Sequence, residues 1–96
     1  HETMAEVRET GIPHYGRQHV GHGIGLGLGG YDRPTISPGD ATPLEANMVL
    51  CVETPYYELG WGSVQVEDMI VVTEEGYRRL TASPRHLQIL ESRVDK

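Results

Sequence analysis

The sequence predicts an α+β fold, a mostly antiparallel sheet with a short helix at its N-terminal end and a possible second helix at its C-terminal end. Three observations lead there. Glycines fall at every second position from Gly21 to Gly29, which is the period of a strand. Met48–Thr54 and Ser63–Thr73 are near-continuous apolar runs with β-branched residues, suited to strands covered on both faces. Glu74-Glu75-Gly76 then turns the second run into Tyr77–Thr81 as a hairpin.

Taken in order, Thr3-Met4-Ala5-Glu6 has the spacing of a capping box, and Gly11 and Pro13 mark the end of the helix it opens. Only Met4, Val7 and Ile12 are apolar there, so the segment is expected to be the tail of a longer helix. From Tyr15 the chain enters the glycine stretch. Extended, it projects His22, Ile24, Leu26 and Leu28 from one face and leaves the other bare, open to the close approach of a ligand or another backbone. Gly25, Gly27 and Gly30 formally satisfy a dinucleotide fingerprint, but Pro34 and Pro38 forbid the helix that motif requires. Tyr31–Glu45, rich in Pro, Gly, Asp, Ser and Thr, is expected to be a surface loop. Pro55, Gly60 and Gly62 punctuate the link between the two apolar runs, and Leu87, Leu90 and Val94 in the tail stand at helical spacing.

Composition excludes several classes of partner. The 96 residues make at most one small domain. A net charge of -6, with eight Lys and Arg spread along the chain, offers no basic stripe to nucleic acid or to an anionic membrane. Cys51 is the only cysteine, so no intramolecular disulfide is possible. There is no signal-peptide pattern and no run near the roughly 18 apolar residues of a membrane span, so a cytoplasmic location is expected. The chain begins at His1 and not at Met, and a piece of something longer is expected.

Two carboxylates interrupt the apolar runs. Glu53 shares a strand face with Cys51 and Val49, and Glu67 shares one with Met69 and Val71. A buried carboxylate must neutralise itself or find a cation. For either one alone, a solvated face or pairing with an arginine such as Arg17 is the simpler account. Taken with His22, they make an imidazole and two carboxylates, a ligand set for Zn, Mn, Fe or Co. Asp32 and Asp40 fall in the loop, Asp95 at the terminus, and Asp68 on the strand face opposite Glu67.

Three stretches in order, Gly21-His22-Gly23-Ile24-Gly25-Leu26, Leu44–Glu53 and Val66–Glu74, resemble the C-terminal half of the pita-bread metallopeptidases. That family holds the Xaa-Pro dipeptidases, aminopeptidase P, methionine aminopeptidase and the metal-free creatinase. The resemblance implies that residues 1–96 are the C-terminal portion of a catalytic domain with a curved sheet. It implies a peptidase of the Xaa-Pro type that cleaves at the N-terminal end of peptides, using two divalent ions (Mn, Co, Zn or Fe). His22, Glu53 and Glu67 match three of the family's five metal ligands, and Glu53 matches its general base. The other two ligands are aspartates of the preceding part of the domain, so this chain alone is expected to bind metal partially or not at all and to be inactive.

Three positions depart from the family pattern. The substrate-facing histidine finds its nearest match in His19, one position out of register, with Gln18 at the usual place; Tyr31 replaces a second histidine; Gln65 replaces an arginine. His19, as a catalytic and substrate-binding residue, and Tyr31, as a substrate-binding residue, complete the expected site. An exposed apolar face bearing Met48, Leu50, Val52, Ile70 or Val72 would favour a homo-oligomer. The competing readings are a creatinase-like hydrolase without metal and a non-catalytic peptide-binding module.

Overall fold

The computed structural model describes residues 2–27 and 31–90. Helix α1 spans Glu2–Glu9, so Thr3 lies inside its first turn. Arg8, in the last turn, complements the negative end of the helix dipole and donates from Nε to the Tyr15 carbonyl at 2.7 Å. The helix stops at Gly11, which has φ +110°, as the sequence predicts. It buries no side chain.

Among the described residues seven strands follow: β1 (Gly21–Gly23), β2 (Asp32–Thr35), β3 (Val49–Glu53), β4 (Tyr56–Glu58), β5 (Gly62–Val64), β6 (Glu67–Thr73) and β7 (Gly76–Arg79). Five form one sheet in the order β2-β1-β3-β6-β7, each neighbouring pair antiparallel, and β4 and β5 make a separate hairpin. The first apolar run becomes β3, and the second is split: Ser63 and Val64 fall in β5, and only Glu67–Thr73 forms β6, the strand next to β3. Glu74 and Glu75 form the tip between β6 and β7, with Gly76 at φ +149°.

The glycine stretch corrects its prediction. Among its described residues only Gly21–Gly23 is a strand, the ladder continues as far as the Ile24 amide on the Val49 carbonyl, and Leu26 is fully exposed. The bare glycine face is used for close approach, as the sequence predicts. A Cβ on Gly21 would collide with the Cys51 carbonyl, and one on Gly25 or Gly27 with the Asp32 carboxylate, which accepts the Gly27 amide at 3.2 Å. Leu28, Gly29 and Gly30 lie outside the described residues.

Two further stretches differ from expectation. Asp32–Thr35, expected as loop, is edge strand β2, which holds Pro34 and pairs with β1 through an irregular register between His22 and Gly23. The expected link after Pro55 holds the β4–β5 hairpin, turned at Gly60 with φ +81°. The possible C-terminal helix is absent from Pro84–Leu90, where Leu87, Ile89 and Leu90 are exposed and have no surface to cover; Val94 lies outside the described residues.

Among the described residues the buried hydrophobic side chains are Tyr15, Val20, Leu50 and Cys51, with Pro34 and Pro55 beside them. Of the five positions expected to be under-buried, Leu50 is buried, whereas Met48, Val52, Ile70 and Val72 are half-buried.

Candidate metal centre

Strand register alone gathers the polar side chains. His22 of β1 lies opposite Cys51 of β3, Glu53 follows Cys51 by two residues, and Glu53 lies opposite Glu67 of β6. Directly paired antiparallel residues and residues two apart along a strand share a sheet face. One ligand atom from each of His22, Cys51, Glu53 and Glu67 therefore comes within 4.8 Å of all the others. Asp68, one position on, leaves by the opposite face, where Thr81, Arg85 and Arg79 surround its carboxylate.

The four donors differ in surroundings. Cys51, Glu53 and His22 are buried and Glu67 is exposed. His22 Nδ1 lies 2.9 Å from the Gly23 carbonyl. Because a carbonyl only accepts, Nδ1 carries the proton, and Nε2 is left with a lone pair for a cation. Glu53 is met by the Arg17 guanidinium at 3.0 Å and the Gln65 amide at 3.4 Å, with His19 Nδ1 at 3.7 Å. Gln65 also donates to Glu67, and the Cys51 thiol donates to Glu67 at 2.6 Å. Burial above all, then the Glu67 carboxylate, push the Cys51 thiol up to about 12. An imidazole, two carboxylates and a thiol fit a divalent ion of the first transition row.

His19 and Tyr31 stand next to this group. The Tyr31 ring centroid is 4.5 Å from that of His22 and 5.8 Å from that of His19. Tyr31 is exposed. The Tyr15 hydroxyl, Arg17 Nε and His19 Nδ1 are buried without a hydrogen-bond partner among the described residues.

The structure thus brings together the sequence-predicted His22, Glu53 and Glu67, with His19 and Tyr31 alongside. Arg17, read from sequence as an alternative partner for a buried carboxylate, takes that place at Glu53. Sequence reasoning missed that Cys51 joins this group, although its spacing of two from Glu53 was a legible signal, and missed the bridging of both glutamates by Gln65. Asp32 and Asp40 stay outside the cluster: Asp32 accepts from the glycine loop, and the Thr42 and Thr35 donors hold the Asp40 carboxyl well below the usual carboxylate range.

The sequence profile of metallopeptidase family M24 matches residues 1–74. The Xaa-Pro dipeptidase of Pyrococcus furiosus is 37% identical over 81 residues, which are 84% of this chain and 23% of that protein. An uncharacterized peptidase of Bacillus subtilis is 36% identical over 88 residues, 92% of this chain and 24% of its own length. Among solved structures, the Xaa-Pro dipeptidase from Bacillus anthracis superposes with a TM-score of 0.77 at 38% identity, over 92% of this chain and 24% of that one. A dipeptidase from Pyrococcus horikoshii gives 0.76 at 37% identity, over 91% of this chain and 24% of that one. The chain spans about a quarter of the length of each of these relatives.

Proposed function

The chain belongs to metallopeptidase family M24 and carries a C-terminal part of its pita-bread fold, and from that premise we propose that the shared face of β1, β3 and β6 is the metal-binding part of a peptidase site. Its substrates are peptides cut at their N-terminal end, with Xaa-Pro dipeptides as the first class to try. The carrying observation is the convergence of donor atoms from His22, Cys51, Glu53 and Glu67 within 4.8 Å on one sheet face. His22, Glu53 and Glu67 are the metal ligands in this reading, and Mn, Co, Zn and Fe are the candidate ions. A divalent ion held there would supply Lewis-acid activation of water and of the scissile carbonyl.

The protein's own groups then have distinct tasks. Glu53, buried, is the proton carrier, and its carboxylate is oriented by Arg17 and Gln65. Tyr31 and His19 line the approach to His22 and contact the substrate. Two ions a few ångströms apart need bridging carboxylates, and among the described residues no aspartate joins the cluster. These residues alone therefore bind metal weakly and turn over little. We place the protein in the cytoplasm, and the half-buried Val52, Ile70 and Val72 support self-association.

A second reading is favoured by one contact: the Arg17 guanidinium already neutralises Glu53, as a metal-free hydrolase or a non-catalytic peptide-binding module would require. Calorimetric titration with Mn²⁺, paired with an assay of proline release from an Xaa-Pro dipeptide, separates the two. Weak binding that disappears in His22→Ala, with proline release no higher than a blank, is expected. Absence of any binding heat would favour the metal-free reading, and full dipeptidase turnover by these residues would contradict the need for further carboxylates.

A further inference from the structure

Resting on the metallopeptidase reading, we propose that Cys51 is itself a donor of this centre and that its sulfur biases the site toward thiophilic ions, Zn²⁺, Co²⁺ and Cd²⁺, over oxygen-preferring Mn²⁺. The strand pleat commits the side chain to this role. Leu50 and Val52 leave β3 by the opposite face, so Cys51 must point where Glu53 points, and it lies across from His22. Its sulfur belongs to the same group of ligand atoms, all within 4.8 Å of one another. A cysteine acting only as a small apolar filler would face apolar atoms; this one is 2% exposed and spends its S–H on the Glu67 carboxylate.

Thiolate is the softest donor in the set, and sites with sulfur prefer Zn²⁺ and its heavier analogues, whereas sites built of oxygen suit Mn²⁺. On binding, the S–H bond breaks, its proton leaves to solvent by way of the Glu67 carboxylate that already accepts it, and a sulfur–metal bond forms without any change of oxidation state.

The test is a Co²⁺ titration of the full chain followed by absorption spectroscopy, repeated on Cys51→Ser. Cys51 is the only cysteine, so a thiolate-to-cobalt charge-transfer band in the near ultraviolet has one source. The wild-type chain should show this band together with the visible ligand-field bands, and Cys51→Ser should keep only the visible ones. The ratio of Mn²⁺ to Cd²⁺ dissociation constants, measured by competition, should fall about tenfold or more in Cys51→Ser. Visible bands without charge transfer in the wild type would overturn the proposal while leaving the metallopeptidase reading intact, since the thiol would then serve Glu67 alone. No cobalt bands of either kind would overturn both. If Cys51→Ser fails to fold by circular dichroism, the wild-type spectrum still decides.

Discussion

Strands β3 and β6 are hydrogen-bonded neighbours of similar apolar content, yet the fold treats them differently. In β3, Leu50, Cys51 and Glu53 are buried, whereas no residue of β6 is. Their neighbours explain this. β3 is flanked by β1, and the segment before β1 lies against it, with the Glu53 amide on the Val20 carbonyl and Tyr15 and Val20 buried. The outer neighbour of β6 is β7, exposed along its whole length. Apolar β-branched sequence therefore makes a strand, but what the chain lays across it makes that strand core. The same asymmetry separates the carboxylates. Glu53 is desolvated and takes a guanidinium, while Glu67 stays hydrated and makes do with an amide and a thiol.

The comparison can be broken most sharply by truncation. Leu50→Ala in β3 should destabilise the chain by about 2–5 kcal/mol in chemical denaturation. Met69→Ala in β6 should cost under about 1 kcal/mol, because its side chain is already partly in water. Equal losses at the two sites would erase the distinction between the strands. Next in size is Arg17→Gln, which leaves Glu53 buried without its cation and should cost about 2 kcal/mol, less than a fully buried pair because Arg17 is partly exposed. The same variant should bind Mn²⁺ more tightly, since a competing cation has gone. Glu67→Gln should move stability by no more than about 0.5 kcal/mol while weakening metal binding. A larger stability loss there would show that Glu67 is as buried in solution as Glu53.

The smallest effect lies on the opposite face. The Thr81 hydroxyl, then Arg85 and Arg79, hold the Asp68 carboxyl below its ordinary value. The folded value being the lower one, its contribution is complete above the unfolded value of about 3.9 and is lost as pH falls through the folded one. Thr81→Ala should flatten the acid limb of the stability profile by slightly lowering its neutral-pH plateau, with little change below the folded value. An unchanged limb would mean that the hydroxyl does not hold the carboxylate.

What was legible in the sequence followed period and punctuation. Apolar continuity marked β3 and β6, Glu74-Glu75-Gly76 the hairpin, Gly11 the helix end, and strand parity placed Glu53 and Cys51 on one face with Asp68 opposed to Glu67. What was not legible depended on partners distant in sequence. Asp32–Thr35 is a strand because β1 offers it an edge, against its composition. Ile24–Gly27 is not a strand because the Asp32 carboxylate, not another strand, fills the bare face of Gly25 and Gly27. The helical spacing of Leu87 and Leu90 produced no helix, since spacing without a surface to cover contributes nothing. At the site, the cross-strand register His22 to Cys51 and Glu53 to Glu67 is a property of pairing, which no single segment encodes.

The convergence on one face is tested most directly by paramagnetic Mn²⁺ added to the ¹⁵N-labelled chain, with amide broadening followed residue by residue. Broadening should centre on Gly21–Gly23, Leu50–Glu53 and Glu67, and should vanish from those amides in His22→Ala. Broadening centred instead on the exposed Glu74–Glu75 tip or on the acidic side chains of α1, with the β1–β3–β6 face untouched, would contradict the account.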